Sequence, residues 1–273
     1  MLNLSVLLED SAREYPDRDA LVLGPTRPSY AQVNAAASQV ANLLVERGVQ
    51  PRDKVALSCP NLPWFPIVCY GILKAGAVVG SLNVLPKGRE IAYHLRDADV
   101  TTFFCFEGTA ELPVGAEGFA AFSEADAVEH FFLITADAAA PSPIDGAETL
   151  GAALAGTGTT FEPVPTEATD TAIILYTSGT TGQAKGAELS HVSTMMNVVT
   201  TNRLFQSKPA TYRDLLCLPL FRTFGPTVQM HAGFSVAATL YLAPRCDAEQ
   251  VVGLMTPRRS PSSPASRPCG GAC

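Results

Sequence analysis

The chain has 273 residues, 47% of them hydrophobic and 16% charged, so it can bury one large core or two smaller ones. Its formal net charge of −7 excludes a general nucleic-acid surface, because no basic stripe is present to displace counterions. Hydrophobic content at this level, punctuated by glycine-rich turns, suits a soluble α/β core of alternating strands and helices.

The first ten residues, Met1 to Asp10, lack a positive n-region and carry acids where a secretory signal would be apolar. Leu4, Leu7, Leu8 and Ala12 recur instead at helical spacing, which predicts an amphipathic helix ending before Pro16. No apolar run is long and clean enough to span a bilayer. Lys74 interrupts the stretch from Pro66 to Gly80, and Gln229 and His231 interrupt the next. A cytoplasmic location is expected, with peripheral contact to membrane-borne lipid left open. Pro141 to Gly146, and Gly156 through Pro163 and Pro165, are turn-rich connections.

The second connection leads into Thr171-Ala-Ile-Ile-Leu-Tyr176, a run of strand formers that reads as a buried strand. Behind it comes Thr177-Ser-Gly-Thr-Thr-Gly-Gln-Ala-Lys-Gly186. Gly179, Gly182 and Gly186 tolerate positive φ and let backbone N–H groups approach an anion. Thr177, Ser178, Thr180 and Thr181 add hydroxyl donors, and Lys185 adds a mobile positive charge. Each charge-assisted hydrogen bond to phosphate contributes about 1.5–3 kcal/mol, so a few would hold a polyphosphate against water. The bland alternative is a solvated Ser/Thr/Gly turn. The loop is not a kinase- or GTPase-type P-loop, since Ala184 and Gly186 flank Lys185 where that motif has glycine before and Ser or Thr after.

Farther on, Ser190 is placed to cap a helix carrying Val192, Met195, Met196 and Val199 on its packing side. Cys59, Cys69, Cys105, Cys217 and Cys246 lie in or beside apolar segments without C-x-x-C spacing and read as reduced, buried thiols. His94, His130, His191 and His231 show no paired metal spacing. No metal site made by the protein alone is expected.

The loop resembles the phosphate-binding signature of the adenylate-forming superfamily, which includes acyl-CoA synthetases, luciferase-type enzymes and peptide-synthetase adenylation domains. Ser29 to Asn34 with Val40 to Leu44 is similar to that family's opening helix, and Asp53 to Leu57 to its first core strand. Leu73 to Asn83 resembles its helix-to-strand crossover, and Arg89 to Asp99 the helix after it. Leu218-Pro-Leu-Phe221, Phe224-Gly225, Pro244-Arg245 and Asp247 resemble its acyl-pocket region. The likeness runs from Met1 to about Met255 and is greatest to bacterial medium- and long-chain fatty acid–CoA ligases.

The resemblance implies an N-terminal domain of layered α/β sheets with flanking helices, over residues 1–256. It implies that Mg-ATP and a carboxylic acid, a fatty acid by this likeness, give an acyl-adenylate, which coenzyme A converts to a thioester. Thr177, Ser178, Gly179, Thr180, Thr181, Gly182, Lys185 and Gly186 would bind the ATP phosphates, with Lys185 supplying catalytic electrostatics, while Phe221, Arg222 and Gly225 would form the substrate entrance. Mg²⁺ would arrive with the nucleotide. Two positions depart from the pattern. Ala184 replaces a proline, loosening the loop by about 0.4–1 kcal/mol, and Arg222 stands where acyl-CoA synthetases place histidine. That arginine would clamp an anion, disrupt an apolar channel, or simply face solvent.

From Pro257 to Cys273 the composition is Pro, Ser, Arg, Gly, Ala and Cys, with nothing aliphatic or aromatic larger than alanine. Such a stretch forms neither strand nor packed helix. The family's adenine and ribose contacts, hinge and lysine-bearing lid have no counterpart here. The expectation is therefore an N-terminal fragment inactive alone, with 257–273 an out-of-frame tail. The alternatives are a genuine disordered tail and a non-catalytic protein that binds nucleotide weakly or pairs with intact relatives.

Overall fold

A computed structural model describes residues 1–85, 88–177 and 184–244. The amphipathic N-terminus forms α1 (Val6–Glu14), burying Leu7, Leu8 and Ala12 behind the equally buried Leu4. A two-residue strand β1 (Leu21–Val22) precedes α2 (Tyr30–Glu46). Ser29 starts α2 through a capping box: its Oγ accepts the Gln32 N–H at 3.3 Å, and Gln32 Oε1 accepts the Ser29 N–H at 2.8 Å. Then follow β2 (Lys54–Ser58), the almost wholly buried α3 (Trp64–Lys74) and β3 (Val78–Ser81). Next come α4 (Gly88–Asp97), β4 (Val100–Phe106), α5 (Val114–Ser123), β5 (His130–Ile134), the short β6 (Glu148–Thr149) and α6 (Leu150–Ala153).

The second half contributes β7 (Thr171–Thr177), β8 (Lys185–Ser190), α7 (His191–Phe205) and β9 (Arg213–Leu216). A π-helix (Gly225–His231) runs into α8 (Ala232–Phe234), and β10 (Thr239–Leu242) closes the described part. Seven strands form one sheet in the order β6-β5-β4-β2-β3-β7-β8, parallel except for the antiparallel β7–β8 pair. A smaller parallel sheet has the order β1-β10-β9.

Both faces of the large sheet are covered, which is why its strands read as near-continuous apolar runs. Val55, Leu57, Phe104 and Phe132 point into one core with α2 and α3, whereas Ala56, Phe103, Cys105 and Phe131 point into a second with α4 and α5. The first core is tightest where α2 crosses α3. A Cβ on Gly71 would lie 2.5 Å from Val40 Cβ and 2.9 Å from the Ala37 carbonyl oxygen, so only glycine permits this approach.

The layered α/β expectation is met. Cys59, Cys69 and Cys105 are buried, and burial pushes the Cys69 thiol up to about 12, but Cys217 is only half-buried, contrary to expectation. Cys246 and residues 257–273 lie outside the described residues. The packing side of α7 also differs. Ser190 caps the helix as expected, accepting the Ser193 N–H at 3.2 Å, yet the buried stripe is His191, Thr194, Val198 and Thr201, with Met196 and Val199 exposed.

Candidate functional site

At the C-terminal end of β7 the chain turns back into β8, with Tyr176 opposite Gly186 and Thr177 opposite Lys185. The segment behind the buried strand therefore returns as a strand, unlike a P-loop, which opens a helix. Lys185 and Gly186 are exposed at the start of β8. Gly186 packs against the hairpin's other leg, where a Cβ would stand 3.0 Å from Ile174 and 3.4 Å from the Tyr176 ring. Ser178, Gly179, Thr180, Thr181 and Gly182 lie outside the described residues, as does the side chain of Thr177.

The other predicted site segment, around Phe221, is organised by Asn61 in the loop leaving β2. Its Nδ2 donates to the carbonyls of Leu216 and Leu218 at 3.0 Å and of Ala243 at 3.2 Å, and its Oδ1 accepts the Leu220 N–H at 3.0 Å. Asn61 is 3% exposed, so it sits inside a satisfied polar network. Sequence reasoning passed over it, although a lone amide directly behind an apolar strand was a readable signal. Gly225 is buried where a Cβ would come within 2.5 Å of the Pro219 carbonyl oxygen. Phe221 is half-buried, and the Arg222 side chain is exposed, which spares its charge the cost of burial.

Phe221 lines a cavity of about 410 Å³ together with Leu62, Val84, Phe106, Val114 and Leu218. The cavity lies where the topology opens the sheet. The segment leaving β2 heads for α3 on one face, the segment leaving the adjacent β4 heads for α5 on the other, and a crevice opens between them beyond the strands' carboxyl ends. A smaller cavity of about 160 Å³ lies between α7 and the π-helix and is lined by Asn202, Phe205, Asp214, Phe224 and Gln229. Burial raises the Asp214 carboxyl above its ordinary range, against the lowering effect of the Leu215 N–H and the Gln229 side chain.

At the end of the π-helix, His231 Nδ1 lies 2.9 Å from the Tyr70 hydroxyl in a fully buried site. Desolvation holds the His231 imidazole down to about 3, with His191 adding to the effect, so His231 is neutral at pH 7. Among the described residues no group of three or more His, Cys, Asp or Glu is arranged to hold a metal ion. The structure thus brings Lys185 and Gly186 together on one hairpin, and Phe221 to the apolar cavity. Arg222 and Gly225 do not line that cavity.

The family model described as AMP-binding enzyme matches residues 8–257. The long-chain-fatty-acid–CoA ligase FadD13 of Mycobacterium tuberculosis (strain H37Rv) is 29% identical, covering 95% of this chain and 48% of its own length. A long-chain-fatty-acid–CoA ligase of Bacillus subtilis (strain 168) is 25% identical, covering 89% and 46%. Among solved structures, the inhibitor-bound N-terminal domain of FACL13 from Mycobacterium tuberculosis superposes with a TM-score of 0.80 at 27% identity, over 93% of this chain and 60% of that one. ATP-bound MatB from Rhodopseudomonas palustris gives 0.78 at 27% identity, over 93% and 48%. The chain spans about half the length of the curated relatives it matches.

Proposed function

Since the chain belongs to the AMP-binding enzyme family, we propose that it supplies the phosphate-binding half of a site that activates a carboxylic acid with ATP. The observation that carries this reading is the β7–β8 hairpin, which presents Lys185 and Gly186 beside a segment of hydroxyls and glycines.

In the first step a carboxylate oxygen bonds to the α-phosphorus of ATP while the bond from that phosphorus to the bridging oxygen of pyrophosphate breaks. The products are acyl-adenylate and pyrophosphate. Negative charge builds on the departing pyrophosphate, and the backbone N–H groups, hydroxyls and ammonium that residues 177–186 carry would spread it. No protein nucleophile is required. In the second step the thiol of coenzyme A attacks the acyl carbon, its proton passes to solvent, and AMP leaves. Mg²⁺ accompanies the nucleotide and offsets phosphate charge.

The acid's apolar body suits the switch-point cavity. Strands in a sheet lie about 4.8 Å apart, so β2 and β4 end roughly 10 and 14 Å from β7 along the same carboxyl edge. A fatty acid is the substrate class that the ligases named above support. Arg222, exposed beside Phe221, is available to a carboxylate or phosphate at the entrance.

We assign residues 1–256 to the family domain, and residues 257–273 to a segment whose composition cannot build a core. No helix among the described residues is long and apolar enough to cross a membrane, and we place the reaction in the cytoplasm. On this reading the 273 residues, which span about half the length of the curated relatives, bind polyphosphate without completing turnover on their own.

ATP–pyrophosphate exchange across a panel of fatty acids tests this reading. The purified chain should give no exchange above the acid-free blank while still binding pyrophosphate. Acid-dependent exchange would show that these residues suffice for the first step. Absence of pyrophosphate binding would leave a non-catalytic protein of another kind.

A further inference from the structure

The two legs of the β7–β8 hairpin are fastened to α4 by polar side chains. Ile91, Ala92 and Leu95 of α4 pack into the second core. Tyr93 and Asp97, one helical turn apart, reach the hairpin. The Tyr93 hydroxyl lies 3.1 Å from the carbonyl oxygen of Ala184, the residue directly before Lys185, and 3.3 Å from Asp97 Oδ1. On the other leg the Tyr176 hydroxyl donates to Asp97 Oδ2 at 2.8 Å and lies 3.2 Å from the His94 carbonyl oxygen. The His94 ring lies over the Tyr176 ring with centroids 4.2 Å apart, and Gly186 occupies the space on which Tyr176 would meet a Cβ.

We propose that Tyr93, Asp97 and Tyr176 form a latch that fixes the start of β8, and with it the backbone of Lys185, so that the lysine is positioned for the polyphosphate of the nucleotide. The proposal rests on the reading that this hairpin holds a polyphosphate. One carboxylate receives Tyr176 directly and lies beside Tyr93, so the two legs cannot slide relative to α4 without losing hydrogen bonds. Both hydroxyls stay protonated well above neutral pH, since burial and the Asp97 carboxylate each disfavour a phenolate. Asp97 itself is solvent-exposed. Its effect is therefore local to the hairpin, and these are positioning residues. They do not touch the substrate.

The test uses the 273-residue chain and the variants Tyr93→Phe, Tyr176→Phe and Asp97→Asn. Calorimetric titration gives affinities for ATP, pyrophosphate and AMP, and hydrogen exchange follows the amides of residues 185–187. Tyr93→Phe, which loses the hydrogen bond to the Ala184 carbonyl, and Asp97→Asn, which replaces a charged acceptor by a neutral one, should each weaken ATP and pyrophosphate by several-fold to about tenfold. They should leave AMP within twofold, quicken exchange at 185–187, and keep the thermal midpoint close to wild type. Equal weakening of ATP and AMP, or unchanged ATP affinity with quickened exchange, would reduce the cluster to ordinary structure and overturn the proposal. If the wild type binds neither ATP nor pyrophosphate, the polyphosphate reading fails on its own account and takes the positioning role with it. Unchanged exchange in Tyr93→Phe would show separately that no latch exists.

Discussion

Lys74 interrupts the apolar run of α3 in the sequence, yet the structure buries it completely, paired with Glu9 of α1. An isolated ammonium there would be very costly, and the carboxylate, whose side chain is 27% exposed, offsets the cost. Lys74→Ala should destabilise by about 3 kcal/mol, while Lys74→Met combined with Glu9→Gln should lose less than half of that, both by urea denaturation. His231 yields a pH dependence with a definite sign. Its folded value is held near 3 against an ordinary 6.5, so on acidification the unfolded chain binds a proton that the folded chain does not. Stability is therefore full above pH 6.5 and falls as pH drops, by up to about 1.4 kcal/mol per pH unit from this residue. His94 and His191, also held low by burial, act in the same direction. Denaturation midpoints between pH 7.5 and 5.5 should converge for wild type and His231→Gln as the pH falls, and parallel curves would contradict this. At this scale the sequence spoke unevenly. Lysine and glycines after a strand suggested an anion, and the lone amide of Asn61 behind β2 was there to be read, but Tyr93 owes its place to a partner 91 residues away.

Among the elements, those with a strong local signal were legible: α1 from its apolar spacing and β7 from its strand formers. α7 was not. Its apolar residues suggested a packing side through Val192, Met195, Met196 and Val199; Met195 does pack half-buried against the core, but Met196 and Val199 are exposed and the buried stripe is largely polar. His191 Nδ1 accepts the Leu4 N–H at 3.2 Å, and Asn202 on the same helix donates to the Ala232 carbonyl at 3.1 Å and to Ser235 at 2.7 Å. Buried polar groups are tolerated when hydrogen-bonded, and an apolar period cannot foresee that. The α2–α3 crossing likewise depends on a feature without periodicity. Gly71→Ala would force a methyl against Val40 and the Ala37 carbonyl, and should cost about 1–3 kcal/mol by overpacking. A midpoint equal to wild type would show that the helices separate freely.

For the whole molecule, the large sheet sets the two candidate site segments along one edge. The hairpin with Lys185 rises from β7, and the apolar cavity opens between β2 and β4 on the same side. The family domain was legible because several motifs occur in order over most of the chain, whereas the cavity was not, since it depends on strand order and on which face each crossover helix covers. The central claim is that the β7–β8 hairpin holds the polyphosphate of a nucleotide. Titration of ATP and AMP into the wild-type chain and into Lys185→Ala tests it most directly. Wild type should bind ATP more tightly than AMP, and Lys185→Ala should weaken ATP by about 1.5–3 kcal/mol, tenfold or more, while leaving AMP unchanged. Equal ATP affinity in wild type and variant would contradict the claim.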